Sequence, residues 1–230
     1  MNLKQLNDEL SRCGLALRGI APLSTEQQSE YGLNAAAVAL VGNVGPGMWP
    51  VFSSSPEYHD GLAHPLDRWS QRVAAEMTER FGLQAVFPFR GPPYLPFQRW
   101  ASLAEALEAS PLGLLMHPEY GLWHAYRFAL LLPELDTSES DSLAQPAKTQ
   151  PICSSCSVRP CLSTCPAQAI SAAGYDVAAC MQYLESDRDA SCHRQGCMAR
   201  AACPQAPASR YEDAQSCFHL KAFFDANRIS

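Results

Sequence analysis

The chain has no apolar run approaching the ~20 residues that a membrane-spanning helix needs, so no transmembrane segment is expected. Its opening residues, Met1-Asn2-Leu3-Lys4-Gln5, begin an amphipathic pattern and lack the charged-then-apolar order of a signal peptide. There is no basic excess: the net charge is −6. An acidic balance keeps a chain soluble and argues against wide contact with a nucleic-acid backbone, which needs several Lys and Arg. No Ser/His/Asp triad, Walker-type loop or GxGxxG is present, and Gly42 to Gly47 (GNVGPG) lacks the Lys of a phosphate loop. These absences lead to the expectation of a soluble, cytoplasmic protein without membrane or nucleic-acid partners.

What is present is cysteine. The chain has 230 residues, 47% of them hydrophobic and 17% charged, enough for one large domain or two small ones with a proper core. Of its 10 cysteines, only Cys13 and Cys217 lie outside the segment from Cys153 to Cys203. Without an export signal, cysteine at this density reads as metal ligation before disulfides.

Periodicity divides the rest. Leu3, Leu6, Leu10 and Cys13 recur at helical spacing, as do Leu66, Trp69, Val73, Met77 and Phe81 between Pro65 and Phe81. Asn34 to Val41 and Gln84 to Phe89 suit strands, and Gln98 to Glu108 suits a helix. Gly113 to His117 and His124 to Leu132 read as paired strands around Pro118-Glu119-Tyr120-Gly121. The alternation suggests layered α and β structure over residues 1–135. Two loops rich in Pro and aromatics, Gly45 to Pro56 and Pro88 to Pro96, either cap a core or line a pocket for a large flat ligand. Residues 136–150 (DTSESDSLAQPAKTQ) read as a linker, 151–210 as a cysteine-rich domain and 211–230 as a C-terminal helix.

The cysteines form two runs, Cys153-x2-Cys156-x4-Cys161-x3-Cys165-Pro166 and Cys180-x11-Cys192-x4-Cys197-x5-Cys203-Pro204. In two-cluster ferredoxins a tight run gives three thiolates to one cube, and the Cys before Pro reaches across to the other. By that rule one [4Fe–4S] cluster takes Cys153, Cys156, Cys161 and Cys203, and a second takes Cys165, Cys180, Cys192 and Cys197. The competing reading is two structural zincs, which favour paired CxxC knuckles; only Cys153/Cys156 has that form. Disulfides are a further alternative. Cys13 and Cys217, at helical spacing among apolar residues, read as small buried hydrophobes.

The segment Leu114-Leu115-Met116-His117-Pro118-Glu119-Tyr120-Gly121-Leu122-Trp123-His124-Ala125-Tyr126-Arg127 resembles the HP-x-aromatic-G-x-W-x-A-x-R stretch of CblC-type cobalamin-processing proteins. Tyr94-Leu95-Pro96-Phe97-Gln98-Arg99 is similar to that family's YYYQRQ segment. With Leu130-Leu131-Leu132-Pro133-Glu134-Leu135, the same stretch also resembles epoxyqueuosine reductase, in which a cobalamin-binding domain leads into a dicluster ferredoxin domain. Ala179-Cys180-Met181-Gln182-Tyr183-Leu184-Glu185 is similar to that family's RCISYLTIE. The resemblance implies an α+β chain: a nitroreductase-like α/β domain holding base-off cobalamin, followed by a small dicluster ferredoxin-like domain. It implies a corrin pocket of Tyr94, Gln98, Arg99, His117, Trp123 and Arg127.

Two departures bear on function. Where epoxyqueuosine reductase carries its catalytic Asp, Arg90-Gly91-Pro92-Pro93-Tyr94-Leu95 has no carboxylate, so action on tRNA is not expected. The DxHxxG cobalamin signature is absent too, since Asp60-Gly61-Leu62-Ala63-His64 has the wrong spacing. The expectation is therefore an oxidoreductase that passes electrons from two clusters to cobalt, reducing cobalamin or removing its upper ligand. A low-potential ferredoxin or flavodoxin would supply the electrons, and the catalytic residues are not assigned. The alternatives are a ferredoxin-like carrier without cobalamin, and a cobalamin-dependent reductase of a small organic substrate, as in reductive dehalogenases. Structural roles compete at single residues: His117 as a cap before Pro118, His124 on a strand surface, and His59 and His64 as solvated loop residues. Arg127, on an apolar strand, must pair with a carboxylate such as Glu119 or with an anionic ligand.

Overall fold

A computed structural model describes residues 2–134, 151–187 and 189–228. It divides the chain into two units. The first holds Met1–Ala106 and the strand that begins at His124; the second holds Leu107–Trp123 and the cysteine-rich half. Composition suggests a single boundary near Leu135 and gives no sign of this exchange of the 107–123 segment. The expected linker, residues 136–150, lies outside the described residues.

The first unit is an antiparallel sheet with helices. Its elements are α1 (Leu3–Arg12), β1 (Leu15–Pro22), α2 (Thr25–Tyr31), β2 (Ala37–Val44), α3 (Trp49–Ser53), α4 (Pro56–His59), α5 (Pro65–Phe81), β3 (Gln84–Val86) and α6 (Phe97–Ala104). After the excursion into the second unit, which carries β4 (Glu108–Ala109) and β5 (Leu115–Met116), the chain returns as β6 (His124–Leu132). Strand order is β1-β2-β6-β3, with Ala37 opposite Leu132 and Val86 opposite Ala129. Ala37 to Asn43 of β2 are buried without alternation, as a central strand covered on both faces must be. The helices bury their apolar stripes: Leu3, Leu6 and Leu10 from α1, Leu66, Trp69, Val73 and Met77 from α5, and Phe97 and Trp100 from α6. The proline-punctuated loop from Gly45 folds into α3 and α4, whose Trp49, Phe52 and Tyr58 meet one another in ring contacts of 5.3–5.9 Å, and Phe52 also meets Trp69 of α5 at 5.7 Å. The aromatics of that loop cap a core.

Both arginines on the apolar strands sit where the ladder slips. Arg18 is the extra residue between the pairs Leu17↔Val41 and Gly19↔Leu40. Arg127 is the extra residue between Val41↔Phe128 and Gly42↔Tyr126. A bulge leaves one residue unpaired and re-aims its side chain. At Gly42 the backbones approach so closely that an added Cβ would lie 2.0 Å from the Ala125 carbonyl oxygen, so no other residue fits.

Arg18 is buried, with 2% of its side chain exposed, against Glu105 at 6%. Its Nε and Nη2 donate to Glu105 Oε1 at 3.1 and 2.9 Å, and Nη1 donates to the Asn43 carbonyl at 3.2 Å. The Tyr126 hydroxyl donates to the other carboxylate oxygen. Burial and the Glu105 charge push the Tyr126 hydroxyl well above its ordinary pKa, which keeps it protonated as a donor.

Three expectations needed revision. β1 and α2 have no counterpart among the expected elements, because Arg18, Gly19 and Pro22 disguise the strand and α2 buries only Gln27. Gly113 to His117 does not pair with β6: β5 pairs with β4, Glu108 opposite Met116, while β6 pairs with β2 and β3. Glu108 ends in a strand because α6 stops at Ala104.

Replacing Arg18 by Ala would leave the Glu105 charge buried without its cation, at a cost of about 3–5 kcal/mol. Urea unfolding should show that loss of stability; a change below about 1 kcal/mol, the size of an exposed ion pair, would contradict this account of the pair.

Candidate iron–sulfur sites

The second unit is built from short elements: β4 and β5, then α7 (Ile152–Ser155), α8 (Pro160–Ser163), the hairpin β7 (Ile170–Ser171) and β8 (Gly174–Tyr175), α9 (Val177–Ser186), α10 (Ser191–Gln195), α11 (Met198–Ala201) and α12 (Asp213–Asn227). Its apolar residues gather in two groups. Leu112, Met116, Leu122, Ile170, Ala199 and Cys203 form one, with Cys153, Cys161, Cys165 and Cys197 against it. Leu184, Cys192 and Leu220 form the other, with Cys180, Cys197, Phe223 and Phe224 against it.

A cavity of about 450 Å³ opens in this unit, and Cys153, Cys156, Cys161 and Cys203 all line it. Leu112, Met116 and Leu122 supply apolar wall from the 107–123 segment, and Pro204 follows the last of the four thiols. Thiols from α7, from the α7–α8 loop, from α8 and from beyond α11 thus share one space, although up to 50 positions separate them in sequence.

The remaining four act on one another. Cys197 and Cys165 both push the pKa of Cys180 upward, after the larger effect of burial. Cys192 is raised by burial and then by Cys197, Cys165 and Cys180. Burial likewise raises Cys203, with Cys161 and Cys156 adding to it. Cys153 is pushed up to about 12 by burial, by a hydrogen bond to Glu108 and by that residue's charge, with smaller effects from Cys203 and Cys161. Tyr175 faces Cys180: its hydroxyl hydrogen bonds to the thiol and opposes the upward shift there. Among the described residues no three His, Cys, Asp or Glu side chains converge tightly enough to hold a single metal ion. Four thiolates around a cube stand further apart than four around one zinc, with its ≈ 2.3 Å bonds.

Local conformation carries the thiols. The Asp176 side chain caps α9 by accepting from Ala179 N–H at 3.0 Å, which starts the helix that carries Cys180. Gly196, at φ +78°, lets the Cys192–Cys197 turn lie against α12; a Cβ there would stand 2.5 Å from Ser216 Cβ. Cys13 and Cys217 are half-buried, and burial raises both pKa values.

The residues expected at a corrin pocket are placed differently from one another. In the first unit, Tyr94 is 65% exposed, and Gln98 and Arg99 are exposed in the first turn of α6. Arg127 is half-buried on β6, and its charge lowers the pKa of Asp67 in the first turn of α5. In the second unit, His117 is buried: its Nδ1 accepts from the Glu119 and Tyr120 amides at 3.0 and 3.2 Å, and its ring stacks on Tyr120 at 4.4 Å. Trp123 is buried with the Arg200 guanidinium over its ring at 4.9 Å. Arg200 also lies over Tyr211, at 4.7 Å, and donates to the Leu122 carbonyl at 2.5 Å. His124 lies on β6, its Nδ1 3.4 Å from Arg18 Nη2. His64, at φ +53°, starts α5, and His59 meets the Tyr58 ring. Sequence reasoning missed Glu108 and Tyr175, which touch the thiols; neither belongs to a motif, so no sequence signal would have found them.

No family model matches the chain, and no curated protein matches it. Solved structures do match. An epoxyqueuosine reductase bound to an epoxyqueuosine-modified tRNA-Tyr stem loop is 16% identical, with a TM-score of 0.49, over 92% of this chain and 68% of that one. The epoxyqueuosine reductase of Bacillus subtilis is 14% identical, with a TM-score of 0.45, over 92% and 68%. The C. elegans B12-trafficking protein CblC, a human MMACHC homologue, is 14% identical, with a TM-score of 0.48, over 99% and 97%. Among the described residues no helix is long and apolar enough to cross a membrane.

The electrostatic effect of Arg127 on Asp67 can be tested directly. Burial raises the Asp67 pKa above its ordinary 3.8 and Arg127 works against it, so Arg127→Met should move the carboxyl higher still in a carbon-13 NMR titration. The folded state then binds the proton more tightly than the unfolded state. The associated loss of stability sets in as pH rises from about 3.8, is complete above the folded pKa, and deepens in the variant. An unchanged titration would mean that the two side chains do not interact.

Proposed function

We propose that this chain is a cobalamin-linked iron–sulfur reductase of nitroreductase-like and ferredoxin-like parts. Cys153, Cys156, Cys161 and Cys203 hold one [4Fe–4S] cluster, and Cys165, Cys180, Cys192 and Cys197 hold the other. The observation that carries the reading is the cavity that four distant thiols of one set share. The mutual action of the second set supports it. The donor chemistry fits: thiolate-only sites with apolar walls suit iron–sulfur clusters.

When bound, the clusters supply one-electron transfer and cobalamin a cobalt centre that accepts it. The protein's part is to hold, dry and orient them. Leu112, Met116 and Leu122 keep water from the first site; Leu184, Leu220 and Phe224 do so at the second. For cobalamin, Tyr94, Gln98 and Arg99 offer exposed aromatic, amide and cationic groups to a large flat ligand. Arg90 to Leu95 offers no acid to protonate a substrate, which favours cobalt itself as the electron acceptor, in cobalamin reduction or upper-ligand removal. The electrons would come from a low-potential ferredoxin or flavodoxin.

A second reading, an electron carrier without cobalamin, is favoured by one observation: His117 and Trp123 are committed to packing, which leaves fewer residues for a corrin.

The test is anaerobic reconstitution with iron and sulfide, read by absorption and EPR. Wild-type protein should hold two clusters, Cys161→Ser should lose one, and Cys197→Ser should lose the other. Uptake of zinc with no iron would overturn the cluster reading. Added cobalamin should change its cobalt bands in oxidised or dithionite-reduced protein; unchanged bands in both would leave the carrier.

A further inference from the structure

Glu108 makes a contact that none of the expected motifs accounts for. It lies on β4, where pairing with Met116 of β5 fixes its backbone, and its carboxylate reaches the first turn of the cysteine loop. Oε2 accepts from the Ile152 amide at 2.9 Å and Oε1 from the Cys153 amide at 2.5 Å. The contact spans 44 and 45 residues of sequence, so it is a tertiary feature and not a local cap. Glu108 is half-buried, where solvent screens a charge less than at an open surface.

Two effects follow for anything bound at Cys153. A fixed negative charge beside a ligand thiolate disfavours the addition of an electron to the cluster. The carboxylate also takes the Cys153 N–H, a donor that could otherwise have pointed at cluster sulfur, and hydrogen bonds to the sulfurs favour the reduced state. Charge and hydrogen bonding act in the same direction.

We infer that Glu108 is a positioning residue that holds down the reduction potential of the cluster carried by Cys153, Cys156, Cys161 and Cys203. This rests on the iron–sulfur reading above.

The experiment is an EPR-monitored redox titration of reconstituted full-length protein, wild type against Glu108→Gln and Glu108→Asp. Glu108→Gln keeps an acceptor for one amide and removes the charge. The midpoint of one cluster should rise by about 59 mV or more, the one-electron equivalent of a tenfold easier reduction, while the other stays fixed as an internal control. Glu108→Asp keeps the charge and should stay near wild type. If both clusters load and neither midpoint moves in Glu108→Gln, the inference is overturned and the cluster reading stands. A shift in Glu108→Asp as large as that in Glu108→Gln would overturn it as well. Loss of that cluster alone in Glu108→Gln would make Glu108 a clamp and not a regulator of potential, which also overturns it. Wild-type protein that takes up no iron and sulfide would instead end the cluster reading itself.

Discussion

Thiols withdrawn from water are the constraint on which the second unit depends. Burial is the largest cause of the raised pKa at Cys153, Cys180, Cys192, Cys197 and Cys203 alike. A thiolate in such surroundings is costly unless a cation offsets its charge, and a bound metal is the strongest such offset. The same residues also complete the hydrophobic groups around Leu112 and Leu184, because most elements of the unit, at two to five residues, bring few large apolar side chains of their own. Under the proposed reading, filling the sites and finishing the core are one event, as in other small metal-dependent units.

The first unit meets a related difficulty with arginine. An uninterrupted ladder would fix the side chains of Arg18 and Arg127 by the alternation of their apolar strands. Each instead occupies a slip in register, and each acts on a carboxylate, Glu105 and Asp67 respectively. Arg18 ties the end of α6 to β1 and β2 through Glu105 and the Asn43 carbonyl. Arg200 in the second unit satisfies its charge differently, between two aromatic rings and a carbonyl, with its peptide next to the Cys197 turn.

Legibility from sequence followed the strength of local signals. α1 and α5 were plain because their apolar residues repeat every three or four positions, and Pro65 and Gly82 punctuate α5. The cysteine runs were plain as a pattern because short spacing and a following Pro are written locally. β1 was hidden by its own bulge, and α2 by a polar composition, although Ser24 and Gln27 form the reciprocal cap that marks a helix start. The partners of β4 and β5 could not be read, since two-residue strands carry no period. Glu108 was invisible for a deeper reason, since contact across more than 40 residues leaves no trace in a single sequence, and Tyr175, only five residues before Cys180, belongs to no motif that would single it out.

The detour of Leu107–Trp123 has a consequence for modularity. The chain passes from the first unit to the second, back, and over again, so the cysteine-rich half is not a cassette that one junction could add or remove. Cut away from everything before residue 151, it would keep all eight cysteines of the two runs and lose Glu108, Leu112, Met116 and Leu122, one wall of its own cavity.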